Sequence, residues 1–157
     1  IIGSQAILGQ FPNAPDSLRR SVEADIYPKN KPDLADLIDG SIGELSPFHE
    51  TFGYYAHGVG AETVVLPQGW QQRLVAVRND NTAGVTGWCL EVHDLLISKY
   101  VAGRDRDLDF AAETIKQGLV RKDVLLDRVR MLPLEKSAKD RLRKRIRACF
   151  GPRADDG

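Results

Sequence analysis

IIGSQAILGQFPNAPDSLRRSVEADIYP, residues 1–28, is the stretch from which the rest of the chain is read. It opens on two β-branched residues that run into Gly3-Ser4, passes through a segment of helical composition at Gln5 to Gln10, and breaks at Phe11 to Asp16. It ends in an apolar run, Val22 to Tyr27, that carries Glu23 and Asp25 two positions apart. Side chains at i and i+2 of a strand point the same way, so the spacing predicts two carboxylates side by side on one strand face, a metal-site geometry. Ile1-Ile2 reads as the end of a buried strand turning sharply into a helix. Gly3 lets another group approach the backbone, and the helix start after it offers free N–H groups and a positive dipole end.

Working outward, Pro32-Asp33 opens a short helix with Leu34, Leu37 and Ile38 at helical spacing, expected to end at Gly40. Ser46-Pro47 starts another turn of helix, to Thr51. Strands are expected at Gly53 to Val59, at Glu62 to Leu66, within Trp70 to Val77 and at Val85 to Leu90, with a turn at Asn79 to Asn81. From Glu91 the pattern becomes helical. Val92, Leu95, Leu96 and Val101 share a face up to Gly103, Leu108, Ala111, Ala112 and Ile115 continue to Gly118, and Val124, Leu125 and Val129 mark a third helix before Pro133. Ala138, Leu142, Ile146, Cys149 and Phe150 give an amphipathic last helix. The expected class is α+β: a small mixed sheet lobe over residues 1–90, a helical lobe of about four helices over 91–150 packed as one compact unit, and a disordered tail at 151–157.

A chain of 157 residues accommodates one core. Formal net charge is zero, which removes any global field for a polyanion, yet the halves differ. Residues 1–70 hold 4 Lys/Arg against 9 Asp/Glu, and residues 71–157 hold 18 against 13. The last helix concentrates the excess in Lys136, Lys139, Arg141, Arg143, Lys144, Arg145 and Arg147, a surface that reads either as a phosphate-backbone contact or as a solvated face. Cys89 and Cys149 lack any CxxC spacing and read as small buried hydrophobes of a reducing compartment, so the expected location is cytoplasmic. No apolar run is long enough to cross a membrane. The chain begins without Met and inside an expected strand, so a preceding stretch of the parent protein is expected.

Carboxylates on a strand hold Mg²⁺ or Mn²⁺ against triphosphate oxygens, while backbone N–H groups and a hydroxyl such as that of Ser4 hold phosphates. Lys99 would add a point charge for the triphosphate, and Asp107 would orient Lys99, act as a base, or form a surface ion pair with Arg104 or Arg106. His57 reads as a packed or exposed histidine rather than a catalyst, and His49 and His93 show no ligand spacing. Trp70 reads as core. Tyr54 and Tyr55 read either as core or as a surface for a base to stack on.

Gly3-Ser4 followed by Glu23-Ala24-Asp25 resembles the signature of the nucleotidyltransferase superfamily, a Gly-Gly/Ser pair and then acid, one residue, acid, although here with a longer gap. Lys99, the turn Ala102-Gly103-Arg104, and Arg106-Asp107 resemble the helical motif of the AbiEii- and MenT-like toxin nucleotidyltransferases, with Asp109 one position earlier than in that pattern. Residues Gly53 to Val120, including Val65 to Trp70 and Trp88 to Asp94, resemble the bacterial DUF6036-type nucleotidyltransferases. The resemblance implies catalysis by Glu23, Asp25, Lys99 and Asp107, nucleotide binding by Gly3, Ser4, Lys99 and Arg106, and metal ligation by Glu23, Asp25 and Glu62. It also implies a nucleoside triphosphate (NTP) as substrate, the 3′ end of tRNA as acceptor, and a bacterial toxin with a cognate antitoxin partner. The alternatives are an antitoxin-type enzyme that modifies a protein, and a non-catalytic module of the same fold that binds nucleic acid or a partner.

Overall fold

The computed structural model describes residues 1–151; the tail expected at 151–157 lies, Gly151 apart, outside them. The chain divides into two compact units, one of residues 1–64 and 73–91, the other of residues 65–72 and 92 onward. The fold is α+β.

The first unit contains four short strands and two helices: β1 (Glu23–Ile26), α1 (Ala35–Ile42), α2 (Pro47–Phe52), β2 (Tyr55–Gly58), β3 (Val75–Val77) and β4 (Gly87–Cys89). β1 and β2 pair in parallel and β3 and β4 antiparallel, as two separate two-stranded ladders. Ile1-Ile2 is extended without being a regular strand, and it stitches the ladders together. The Ile2 N–H donates to the Asp25 carbonyl at 3.0 Å, and the Leu90 N–H donates to the Ile1 carbonyl at 3.1 Å. Ile2, Ala6, Ile7, Leu18, Ala56, Val59, Cys89 and Leu90 are buried in this unit.

A parallel pair needs a crossover, and α1 and α2 lie in the one that joins β1 to β2. α1 comes so close to β2 that a Cβ on Gly58 would lie 2.0 Å from the Ala35 carbonyl oxygen. The Gly58 N–H donates to Asp39 Oδ1 of the same helix at 2.9 Å. Gly58→Ala is therefore expected to force α1 off β2 and to cost about 1–3 kcal/mol, read as a lowered midpoint in denaturant. α2 begins as its sequence predicts: Ser46 caps it by accepting from the His49 N–H at 3.2 Å, and Gly53 ends it at φ +74°.

Three local expectations are corrected. α1 does not stop at Gly40 but runs to Ile42, because a helix interior tolerates glycine at a cost of only about 1 kcal/mol; it ends at Gly43. Residues 62–66 form no strand. A 3₁₀ turn occupies Ala61–Thr63, where the Thr63 N–H and hydroxyl both return to the Gly60 carbonyl, so the local turn takes bonds a strand would send to a neighbour. The segment after Gly3 is likewise a 3₁₀ helix, Ser4–Gly9.

The second unit holds the four helices expected: α3 (Val92–Ala102), α4 (Asp105–Lys116), α5 (Lys122–Arg130) and α6 (Lys136–Cys149). α3 packs against α4 and α5, and α5 against α6. Leu95, Leu96, Ile97, Leu125, Val129 and Ile146 are fully buried here. Segment 65–72 joins this unit through the Gln68 N–H, which donates to the Met131 carbonyl at 2.8 Å. Two polar contacts fix the helices. Asp94, buried on α3, meets Arg128 of α5 at 3.1 Å, and His93 Nε2 accepts the Arg121 N–H at 3.0 Å. Both cysteines are free thiols; Cys89 is buried as expected, whereas Cys149, at the end of α6, is exposed.

Candidate active site and metal centre

β1 presents Glu23 and Asp25 on one face, and the parallel register sets Tyr55 opposite Glu23 and His57 opposite Asp25. The period of two that puts both acids on one face of β1 does the same for Tyr55 and His57 on β2. His57 Nδ1 lies 3.2 Å from Glu23 Oε1 and 3.6 Å from Asp25 Oδ1. One ligand atom from each of the three side chains falls within 4.8 Å of the others. The side chains remain a third to a half exposed, so a substrate or ion reaches them from solvent.

Backbone and neighbours hold this cluster in place. A Cβ on Gly3 would lie 1.9 Å from Asp25 Oδ2, so the Asp25 carboxylate occupies the space that a side chain at position 3 would need. This is the close approach for which a glycine at that point is required. Tyr55 hydrogen-bonds Glu23, and its phenol is held above the usual range by desolvation first and then by the nearby Glu23 and Glu44 charges. The His49 ring packs on Tyr55 with centroids 4.8 Å apart. Ser21 Oγ accepts the Glu23 N–H at 3.3 Å. Ser4 starts the 3₁₀ helix beside Gly3 and is half-buried.

Two carboxylates and an imidazole nitrogen suit a divalent cation, since hard oxygen donors and a borderline nitrogen donor then share one small volume. Glu62 is not in this cluster. It stands exposed on the turn after β2, with its carboxylate folded against Gly60, where a Cβ would lie 2.0 Å from Glu62 Oε1. The third metal-type donor beside Glu23 and Asp25 is His57, which the sequence reading set aside. Only the strand pairing reveals it, because Asp25 and His57 become neighbours through a parallel register that no spacing encodes.

The second unit holds the other expected site residues. Lys99 sits in the last turn of α3, and Gly103, at φ +66°, turns the chain into α4. That reversal brings Asp107, in the first turn of α4, onto Lys99, with Nζ 3.2 Å from Oδ1. Arg104 grips the same carboxylate from Nε at 2.6 Å and from Nη2 at 3.3 Å. Asp107 is 1% exposed and Lys99 12%, so this is a buried ionic knot rather than a surface pair. Burial alone would raise the Asp107 carboxyl, but the Arg104 hydrogen bonds, together with Lys99, overcome it and hold the group below its usual range. Lys99 Nζ also lies 5.7 Å from the centre of the Phe110 ring. Arg106 and Asp109 are exposed on α4.

A Gly-Ser turn beside a strand with paired carboxylates thus lies in a chain of the nucleotidyltransferase class. The chain belongs to one family of that class: residues 1–148 match the family described as nucleotidyltransferase of unknown function (DUF6036). No curated protein and no solved structure matches the chain. Among the described residues, no helix is long and apolar enough to cross a membrane.

Proposed function

We propose that this protein is a metal-dependent nucleotidyltransferase that moves a nucleoside monophosphate (NMP) from an NTP to the 3′ hydroxyl of a tRNA. The observation that carries this reading is the convergence of the Glu23 and Asp25 carboxylates, the second of them seated against Gly3, in a member of a nucleotidyltransferase family. In the reaction the acceptor oxygen bonds to the α-phosphorus, the bond from that phosphorus to the bridging oxygen of pyrophosphate breaks, and the hydroxyl proton passes to solvent. Glu23 and Asp25 would hold a divalent cation, Mg²⁺ or Mn²⁺, which when bound neutralises charge on the triphosphate. Gly3 yields its side-chain space to the Asp25 carboxylate, and the Gly3 backbone and the Ser4 hydroxyl would bind the phosphates. Lys99 and Arg106 are the candidate nucleotide-binding cations of the helical unit. Asp107 already receives three donor contacts and is held below its usual range, so it is a poor base; its role is to position Lys99.

An RNA acceptor is favoured by α6, where Lys136, Arg141, Lys144, Arg145 and Arg147 are all exposed. At 100° per residue they spread over about half the helix circumference, a cationic face suited to a phosphate backbone. The toxin assignment, the cognate antitoxin and the cytoplasmic location rest on the resemblance of the Lys99 to Asp107 motif to the AbiEii- and MenT-like enzymes.

The test is incubation of the protein with each NTP labelled at the α-phosphate, total tRNA and Mg²⁺ or Mn²⁺. Label on tRNA that disappears with Lys99→Ala supports the reading. Label on protein instead would move the acceptor to a protein hydroxyl, and RNA binding without any transfer would leave a binding module.

A further inference from the structure

Any cation held by Glu23 and Asp25 meets a third donor whose chemistry differs from theirs. His57 turns its Nδ1 nitrogen toward both carboxylates, at 3.2 and 3.6 Å. Its side chain is 50% exposed, so packing does not require an imidazole there. The bond from Tyr55 to Glu23 and the seat of Asp25 against Gly3 fix the two oxygen donors from behind, as partners of metal ligands commonly do.

We propose that His57 Nδ1 ligates the ion together with Glu23 and Asp25, and that this nitrogen makes the centre a Mn²⁺ site in preference to a Mg²⁺ site. The assignment rests on the metal-dependent reading above. Mg²⁺ loses its water reluctantly and takes oxygen donors in near-ideal octahedra, whereas Mn²⁺ accepts carboxylates and, lying in the first transition row, gains from imidazole. The two carboxylates bind either ion; the imidazole separates them.

Pulsed electron paramagnetic resonance of Mn²⁺ added to the full chain, without nucleotide, reads the ligand directly. Bound Mn²⁺ is expected to show nitrogen hyperfine coupling that changes with isotope-labelled histidine and is lost in His57→Ala. The Mn²⁺ affinity of that variant should fall by about tenfold or more, and the Mg²⁺ affinity, measured by competition, by less. His57→Asp should move the preference toward Mg²⁺, with circular dichroism confirming that both variants are folded. Bound Mn²⁺ without nitrogen coupling, no Mn²⁺ binding, or tighter Mg²⁺ than Mn²⁺ binding by the unaltered protein would overturn the assignment. Nitrogen-coupled Mn²⁺ in a protein that transfers label from no NTP would leave the site standing and remove nucleotidyl transfer. Label transfer with a nitrogen-free ion would do the reverse.

Discussion

Asp25→Asn is expected to lower NMP transfer by at least about 10³-fold while leaving the fold and its melting temperature nearly unchanged. The side chain is a third exposed, and Asn matches it in size, so little packing is lost. What is lost is the charge. With Asp25 neutral, only Glu23 remains as an anionic donor in the cluster, and a divalent ion loses half of its compensating charge there. Initial rates with saturating NTP, compared over a range of metal concentrations, measure the effect. A rate within tenfold of the unaltered protein would remove Asp25 from the centre. Gly3→Ala makes the same point without touching a donor. Its new Cβ claims the space of Asp25 Oδ2, so the carboxylate must leave, and activity should fall although every ligand is still present.

Asp107→Ala should destabilise the helical unit by about 3–5 kcal/mol. The carboxylate is 1% exposed and answers two cations, of which Lys99 is itself nearly buried. Removing the acid leaves the Lys99 charge without its ion-pair partner in a poorly solvated place, and that uncompensated charge is the main cost. The double variant Asp107→Leu with Lys99→Met should recover much of the loss, which distinguishes ionic frustration from a mere cavity. The same knot sets an acid limit. Because the folded carboxyl titrates below its ordinary value of 3.8, its contribution is complete above that value and disappears as pH falls through the lower folded value. Denaturant midpoints should therefore drop on acidification below about pH 4, and the Asp107→Ala profile should be flatter there. An unchanged profile would mean that the ion pair contributes nothing to stability.

The parts of this molecule legible in its sequence are those governed by local periodicity. Glu23-x-Asp25 shares a strand face because strands repeat every two residues, and α3 to α6 follow from apolar spacing and from the punctuation at Gly103, Gly118 and Pro133. Ser46-Pro47 likewise marks the start of α2, whereas Gly53, expected to open a strand, ends that helix instead. What escaped depends on tertiary pairing. His57 gains its meaning only from lying opposite Asp25 in a parallel register, and the crossover between those strands hides that relation. Glu62 failed in the opposite way: its Thr63-Val64-Val65 neighbourhood has strand propensity, but no adjacent strand takes it, and the Gly60 carbonyl captures the turn. The buried state of Lys99 and Asp107 was likewise invisible, since charged residues at helix ends are usually solvated.

The bonds from Ile1-Ile2 to both ladders have a consequence for synthesis on the ribosome. Residue 1 finds one of its neighbours only when residue 90 exists, and the unit cannot close its sheet earlier. At cellular rates of 5–20 residues per second, that interval is on the order of 5–20 s. Segment 65–72 emerges within the same interval, ahead of every helix it will join. Through that delay β1 and β2 have an unfinished edge, and an open edge is a template for pairing with another chain.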